Sequence, residues 1–224
     1  MLRILLGTST LAALSLLATP AMANEEDANI WLAQTSTINL GDDMTLWLEA
    51  QERFTNDASR LGQLLIRPAI GYKLDATTTV SLGYAYVHTD PLVGASSDEH
   101  RIFQQLSTRL AGDGRGVTVT SRTRLEQRFF EGQDGTGWRL RQQVRITAPL
   151  MGKARLALWT EPFIGLNQTR FQRDGIGLWR NFAGVSIPVS RQLTLEPGYL
   201  NQQVRRVGRD RTDHVASLTL ATTF

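Results

Sequence analysis

The segment Ser97–Arg101 contains residue types that can carry hydrolytic chemistry. Ser97, Glu99 and His100 could supply a nucleophile and a base if their side chains came within hydrogen-bonding distance of one another. They are therefore weak candidates for the catalytic site of a lipid hydrolase at the rim of a membrane protein. A serine-rich loop that runs into a strand is more often simply solvated, with Glu99 and Arg101 as a charge pair. We favour this second interpretation.

Neither a metal site nor a cofactor site is indicated by the sequence. The three histidines, His88, His100 and His214, lack the spacing of metal ligands. No glycine-rich loop precedes a helical segment in the way that phosphate-binding loops do. We therefore expect no metal ion and no cofactor.

Charged side chains recur at every second position through the centre of the chain. Arg122, Arg124, Glu126 and Arg128 share one face of a strand, because side chains alternate across a strand. An arginine that faces lipid costs about 2 to 4 kcal/mol near the middle of a membrane, so a row of arginines must face an interior. The predicted lumen charge network consists of Arg53, Arg67, Glu99, Arg101, Arg109, Arg122, Arg124, Glu126, Arg128, Arg139, Arg141, Arg145, Arg155 and Glu161.

The elements that position these charges are strands with one apolar face. Period-two segments separated by turn residues fill the chain, and helical periodicity is almost absent. Leu64, Ile66 and Ile70, for example, oppose Arg67 and Lys73. Backbone polar groups need internal partners in lipid, so this pattern indicates a closed barrel with an apolar outside and a polar lumen. The alternative is a soluble periplasmic sandwich or lipocalin-like barrel, with the charged face in water and the Leu/Val face inward.

The sequence therefore predicts an all-β fold, an antiparallel transmembrane β-barrel of about 10 to 12 strands. Short connections alternate with longer, more polar ones. Counting back from the C-terminal end, residues 43–54 form the first upward strand, and residues 29–39 run the wrong way for a chain that starts in the periplasm. Because bacterial barrels usually have an even strand count, ten strands is the first expectation, with residues 24–40 as a periplasmic or lumenal segment. Twelve strands, with one missed or split near residues 174–188, is the second.

Both ends of the chain are typical of an exported outer-membrane protein. Residues 1–23 combine the charged Arg3, an apolar run and the small residues of Ala21–Ala23, which predicts a cleaved signal peptide. Residues 24–224 would then form a single barrel domain. The last strand ends on Phe224, which predicts recognition by the barrel-assembly machinery. We expect this protein in the outer membrane of a Gram-negative bacterium, with the membrane lipids and that machinery as partners.

The basic character of the chain does not indicate a nucleic-acid partner. The net charge of +3 and the pI near 9.7 come from arginines that are spread through the strands rather than gathered into a run. The chain has no cysteine, so neither a disulfide nor a lipidated cysteine is available. Nothing in the sequence predicts an oligomeric state.

Several short motifs occur in order along the chain. They are Gln51–Phe54, Arg67–Tyr72, Glu99–Leu106, Arg122–Phe129 and Glu161–Phe163. In these motifs the chain resembles the DUF2490 family of bacterial proteins, over nearly all of the segment that follows the signal peptide. The resemblance implies a barrel at the cell envelope. It implies no activity, so no catalytic residue is transferred from the family.

The predicted strand number bounds what the lumen can do. An eight-stranded barrel is filled by its own side chains, whereas about 16 to 18 strands leave a wide channel, and this barrel lies between these limits. The sequence therefore predicts a structural or ligand-binding barrel with a charged, largely blocked lumen. Because arginine outnumbers acid on the predicted inner face, a small anion-preferring pore is the alternative. The lipid hydrolase at the rim is the second alternative.

Overall fold

In a computed structural model of the chain, which describes residues 25–224, eleven strands close into one barrel. Each strand pairs antiparallel with its neighbours in the sequence, so the predicted all-β barrel of about ten to twelve strands is confirmed. The strands are β1 (Glu25–Asn39), β2 (Met44–Thr55), β3 (Arg60–Lys73), β4 (Thr78–Thr89), β5 (Ser97–Ala111), β6 (Thr118–Phe130), β7 (Gly137–Met151), β8 (Ala154–Gly165), β9 (Gly175–Pro188), β10 (Leu193–Val204) and β11 (Arg211–Thr223).

Within residues 25–224, no helix is long and apolar enough to cross a membrane. The predicted signal peptide, residues 1–23, lies outside the described residues.

The barrel closes through a parallel pairing of its first and last strands. β1 and β11 are in register from Glu25 opposite Arg211 to Thr37 opposite Thr223. Phe224 extends this pairing, since its amide donates to the Thr37 carbonyl at 2.9 Å. The strand number is eleven, not the ten or twelve that the sequence predicts. The difference from ten arises because residues 25–39 form strand β1, so the prediction of a periplasmic or lumenal segment over residues 24–40 is wrong for residues 25–39. The region near residues 174–188 is one continuous strand, β9, so no strand is split there.

The connections differ between the two ends of the barrel. One end, here called the long-loop end, carries the connections 56–59, 90–96, 131–136, 166–174 and 205–210. The opposite, short-turn end carries the connections 40–43, 74–77, 112–117, 152–153 and 189–192. Because the strand number is odd, β1 starts at the long-loop end and β11 finishes at the short-turn end.

Aspartates shape two of the short turns. The hydroxyl and the amide of Thr77 donate to Asp75 Oδ1 at 2.7 and 2.6 Å, which lowers the pKa of this carboxyl. Asp113 accepts from the amides of Arg115 and Gly116 at 2.9 and 3.4 Å, and its pKa is lowered for the same reason. The ionised form of each carboxylate thus stabilises its turn by accepting these hydrogen bonds.

Apolar side chains cover the outside of the barrel, and charged side chains line much of its inside. Ile70 and Leu82 lie opposite each other near the middle of β3 and β4, and they are 52% and 60% exposed. Arg124, Glu126 and Glu161 are each 1% exposed. The outward side of each of these strands is therefore mainly apolar, and the inward side carries the charges.

Most of the outward-facing aromatic residues of the strands lie towards the long-loop end, whereas Tyr72 lies near the short-turn end. Tyr84, Phe129, Trp138 and Tyr199 are between 38% and 47% exposed, although each belongs to a strand. They lie on the same outer face as the aliphatic residues closer to the short-turn end.

An apolar cluster fills the lumen beside the closing strands. Trp159 stacks on Phe182 with ring centroids 5.2 Å apart and an interplanar angle of 12°. Gly184 and Gly198 leave space for the Phe182 ring, since a Cβ atom on either glycine would lie within 2.5 Å of the Phe182 Cζ atom. The buried members of the cluster are Trp31, Ala157, Phe182, Leu200 and Val215.

Candidate functional site: the charged lumen

The fourteen residues of the predicted lumen charge network all lie on the lumenal faces of their strands. β2, β3 and β5–β8 carry them, because in each of these strands every second residue is charged or polar. The network has three carboxylate centres, at Glu126, Glu161 and Glu99. Each of these carboxylates binds more than one arginine.

Glu126 lies at the centre of the network, with its side chain 1% exposed. It accepts hydrogen bonds from Arg139 Nε at 2.8 Å and from Arg141 Nη1 at 2.9 Å, both from the neighbouring strand β7. Arg124 Nη1 is 3.8 Å from Glu126 Oε1. One almost fully buried carboxylate therefore lies within 4 Å of three guanidinium groups.

Arg141 connects this centre to the next carboxylate, Glu161 on β8. Its Nε and Nη2 atoms donate to the two oxygens of Glu161 at 3.1 and 2.9 Å. Arg122 Nη2 also donates to Glu161 Oε1, at 2.8 Å. Arg141 thus binds two carboxylates at once, and the ion pairs continue from β6 to β8.

Glu99 forms the third centre, closer to the long-loop end. Arg101 binds it with two hydrogen bonds of 2.7 and 2.6 Å, and Arg128 Nε adds a third of 2.6 Å. Such two-pronged arginine–carboxylate pairs fix the orientation of both side chains.

Aromatic rings support several of these guanidinium groups from within the lumen. The guanidinium carbon of Arg124 is 4.4 Å from the ring centre of Phe103, and that of Arg141 is 4.2 Å from the ring centre of Phe163. Phe103 is 1% exposed and Phe163 is 3% exposed. These rings and the guanidinium groups that lie over them are almost entirely buried within the barrel.

Two residues of the predicted network, Arg109 and Arg155, bind backbone carbonyls of the short turns. Arg109 Nη2 donates to the Ala76 carbonyl at 3.3 Å, and Arg155 donates to the carbonyls of Arg115 and Gly116 at 3.0 and 2.6 Å. Both interactions are at the short-turn end. These two arginines therefore stabilise the short turns through backbone carbonyls and do not bind carboxylates.

The fold brings further charged and polar residues into the lumen beyond the fourteen of the predicted network. Glu49 binds Arg67 at 2.7 Å, and Glu196 binds Arg145 at 2.9 Å. In the sequence, Glu49 and Glu196 lie on the same strand face as neighbouring polar residues, and this pattern indicates that both face the lumen. Arg180 is harder to place from the sequence, because the run Trp179–Phe182 does not show a clear alternation of apolar and polar residues. The residues to add to the lumen are Glu49, Arg180, Glu196, Gln202 and Asp213.

The three catalytic candidates are not brought together. Ser97 and Glu99 lie on the lumenal face of β5, whereas His100 lies on the outer face. His100 Nδ1 is 2.5 Å from the Tyr84 hydroxyl, and its Nε2 is 3.1 Å from Glu131 Oε1. A base on the outside of the wall cannot activate a nucleophile on the inside, so these residues do not form one hydrolytic site.

All three histidines lie on the outer face near the long-loop end. His214 Nδ1 is 2.6 Å from the Tyr199 hydroxyl, and His88 Nδ1 is 2.8 Å from Asp98 Oδ1. Over residues 25–224, no group of three or more histidines and acids is arranged to hold a metal ion.

Comparison with known proteins gives a family and a relative. The family model described as "Protein of unknown function (DUF2490)" matches residues 28–213. An uncharacterized protein of Methylorubrum extorquens is 37% identical over 218 residues, which cover 94% of this chain and 95% of that protein. No solved structure is significantly similar to the chain.

Proposed function

The chain belongs to the DUF2490 family, a family of unknown function, and we propose that it is an outer-membrane β-barrel with a structural or ligand-binding role. Its charged lumen is largely blocked. The observation that carries this proposal is the distribution of side chains, apolar on the outside of a closed barrel and ionic on the inside.

The outer surface is suited to lipid rather than water. Large contiguous apolar patches are rare on soluble monomers. Here they extend around the barrel, and they include Ile102, Leu106 and Ile146, which are 45%, 43% and 41% exposed. A closed barrel also satisfies the condition that every backbone group in the hydrocarbon layer has an internal partner. An outer-membrane location accounts for both features.

The two ends of the barrel support one orientation in that membrane. Short turns are typical of the periplasmic side and longer loops of the external side. The outward aromatic residues near the long loops would then lie at the outer lipid interface. In this orientation Phe224 ends in the periplasm, where the barrel-assembly machinery would recognise β11, after export directed by residues 1–23. The surrounding lipids of the Gram-negative outer membrane are the second partner.

The lumen supports a blocked barrel more strongly than a pore. Arg124, Phe103, Leu65 and Val87 are each 1% exposed although they point into the barrel. An open channel would leave such residues in contact with water. The ion pairs of Arg141 with two carboxylates also tie neighbouring strands together across the inner wall.

Planar-bilayer recording tests this proposal. The mature protein, refolded so that its gel mobility changes on heating, should insert into the bilayer and produce no stepwise current. Failure to insert or to sediment with outer membranes would contradict the membrane location. Frequent stepwise currents from the folded protein would contradict the blocked lumen.

A small anion-preferring pore is the second candidate, because lumenal arginines outnumber lumenal carboxylates. In that case the currents would favour anions and would change in Arg124→Gln or Arg141→Gln. The lipid hydrolase is not proposed, since Glu99 and His100 face opposite sides of the wall.

A further inference from the structure

Two lumenal arginines, Arg53 and Arg180, have no acidic partner and, unlike Arg109 and Arg155, do not bind the short turns either. Arg53 donates to Gln51 Oε1 at 2.7 Å and to Gln63 Oε1 at 2.5 Å. Arg180 Nε donates to Gln202 Oε1 at 2.8 Å. Within the part of the chain that the structure describes, neither guanidinium has a carboxylate oxygen within 4.0 Å. Both are therefore cations whose hydrogen bonds go only to neutral amides.

Both of these guanidinium groups lie against the same indole ring. The guanidinium carbon of Arg53 is 4.0 Å from the centre of the Trp31 ring, and that of Arg180 is 4.8 Å from it. The two carbons are thus no farther apart than the sum of these distances. Trp31 is 4% exposed, and its Nε1–H group is buried without a hydrogen-bond partner. A buried donor of this kind normally has an acceptor.

The nearby carboxylates are already occupied by other arginines. Glu161 is the register partner of Arg180, but its two oxygens bind Arg141 and Arg122. The indole ring attracts a cation but supplies no counter-charge. Two buried or half-buried positive charges without a bound anion are costly, so these two guanidinium groups lack a negative partner.

We propose that Arg53, Arg180 and the Trp31 indole N–H bind an oxyanion group, a carboxylate or a phosphate, inside the lumen. The planar guanidinium fork matches both groups and can bind them through two parallel hydrogen bonds. Arg53 lies two residues from the end of β2, so the ligand enters from the long-loop end. This inference rests on the proposed function and specifies its ligand class.

Calorimetric titration of the refolded protein in detergent micelles tests this site. Inorganic phosphate and acetate serve as probes at constant ionic strength, with chloride as the balancing anion. We expect one site per chain for at least one probe, and the stronger of the two identifies the ligand group. In Arg53→Gln and in Arg180→Gln the affinity should fall at least about tenfold, since each change removes a charged donor.

Arg155→Gln is the matched control. Arg155 is also a lumenal arginine without a carboxylate partner, but it lies at the short-turn end and binds carbonyls. Its loss should leave the affinity unchanged. Arg53→Lys and Arg180→Lys keep the charge and lose the fork, so they should weaken binding even if the glutamine variants do not refold.

The absence of phosphate and acetate binding beyond that of chloride would overturn the inference. Equal affinity in the Arg53, Arg180 and Arg155 variants would also overturn it, because binding would then be general charge screening. The proposed function is tested separately. A heat-modifiable, silent barrel that binds no oxyanion contradicts only the site, whereas a folded protein absent from outer membranes contradicts only the location.

Discussion

Removing the central carboxylate should destabilise the barrel by an amount that depends on what replaces it. Glu126 is 1% exposed and binds Arg139 and Arg141, with Arg124 at 3.8 Å. Glu126→Ala leaves these guanidinium groups without their shared anion, and breaking a buried ion pair in this way costs about 3 to 5 kcal/mol. Glutamine keeps one acceptor oxygen, and a hydrogen bond to a charged group contributes about 1.5 to 3 kcal/mol. Glu126→Gln should therefore cost less than Glu126→Ala by about that amount.

Equilibrium unfolding in lipid vesicles, followed by the mobility of the unheated protein on a gel, measures both free energies. Glu196→Ala is the control, because Glu196 has one arginine partner, Arg145, and its side chain is 15% exposed. Its cost should be smaller than that of Glu126→Ala. Equal losses for alanine and glutamine at position 126, or losses below about 1 kcal/mol as for exposed ion pairs, would refute the reasoning. Such results would indicate a wide, wet lumen.

Two further pairs of substitutions test the two faces of the barrel wall. Leu82→Arg should lower the free energy of unfolding in lipid by about 2 to 4 kcal/mol and impair assembly, because Leu82 faces outward near the middle of its strand. The lumenal change Ser217→Arg should be tolerated better. Equal assembly yields of the two variants in outer membranes would contradict the membrane location. Glu52 faces outward between Leu32 and Leu64, so Glu52→Leu should raise the free energy of unfolding in lipid by up to about 1 kcal/mol. Glu49→Leu removes the lumenal partner of the buried Arg67, so it should lower the free energy of unfolding by about 3 to 5 kcal/mol. A change in the same direction for both variants would contradict the assignment of Glu52 to the outer face and Glu49 to the lumenal face.

The inner and outer faces could be predicted from the sequence because they depend only on strand alternation. Arg124 and Glu126 differ from Leu125 by one position, and a period of two is sufficient to assign them to opposite faces. The partners of each charge depend instead on register between strands. That Arg141 binds both Glu126 and Glu161 follows from pairings that no local pattern records.

The closure of the barrel could not be predicted for a related reason. A strand near residues 29–39 was evident, but its pairing with β11 joins Glu25 to Arg211, at opposite ends of the chain. The preference for an even strand count then argued against the observed arrangement. Arg180 is not evident from the sequence because large aromatic residues lie on both faces of its strand. Trp179 faces outward, whereas Phe182 faces inward, where Gly184 and Gly198 leave space for the Phe182 ring.

Lipid contact along the strands tests the central claim most directly, and the absence of cysteine makes single-cysteine variants straightforward. A fluorescent thiol label would be placed at Ile70, Leu82 or Leu106 on the outer face, and at Ser81 or Ser217 on the lumenal face, in a barrel reconstituted with brominated lipids. We predict strong quenching at the three outer positions and little at the two lumenal ones. Quenching that is equal on both faces, or absent from both, would contradict a lipid-embedded barrel with its charges inside.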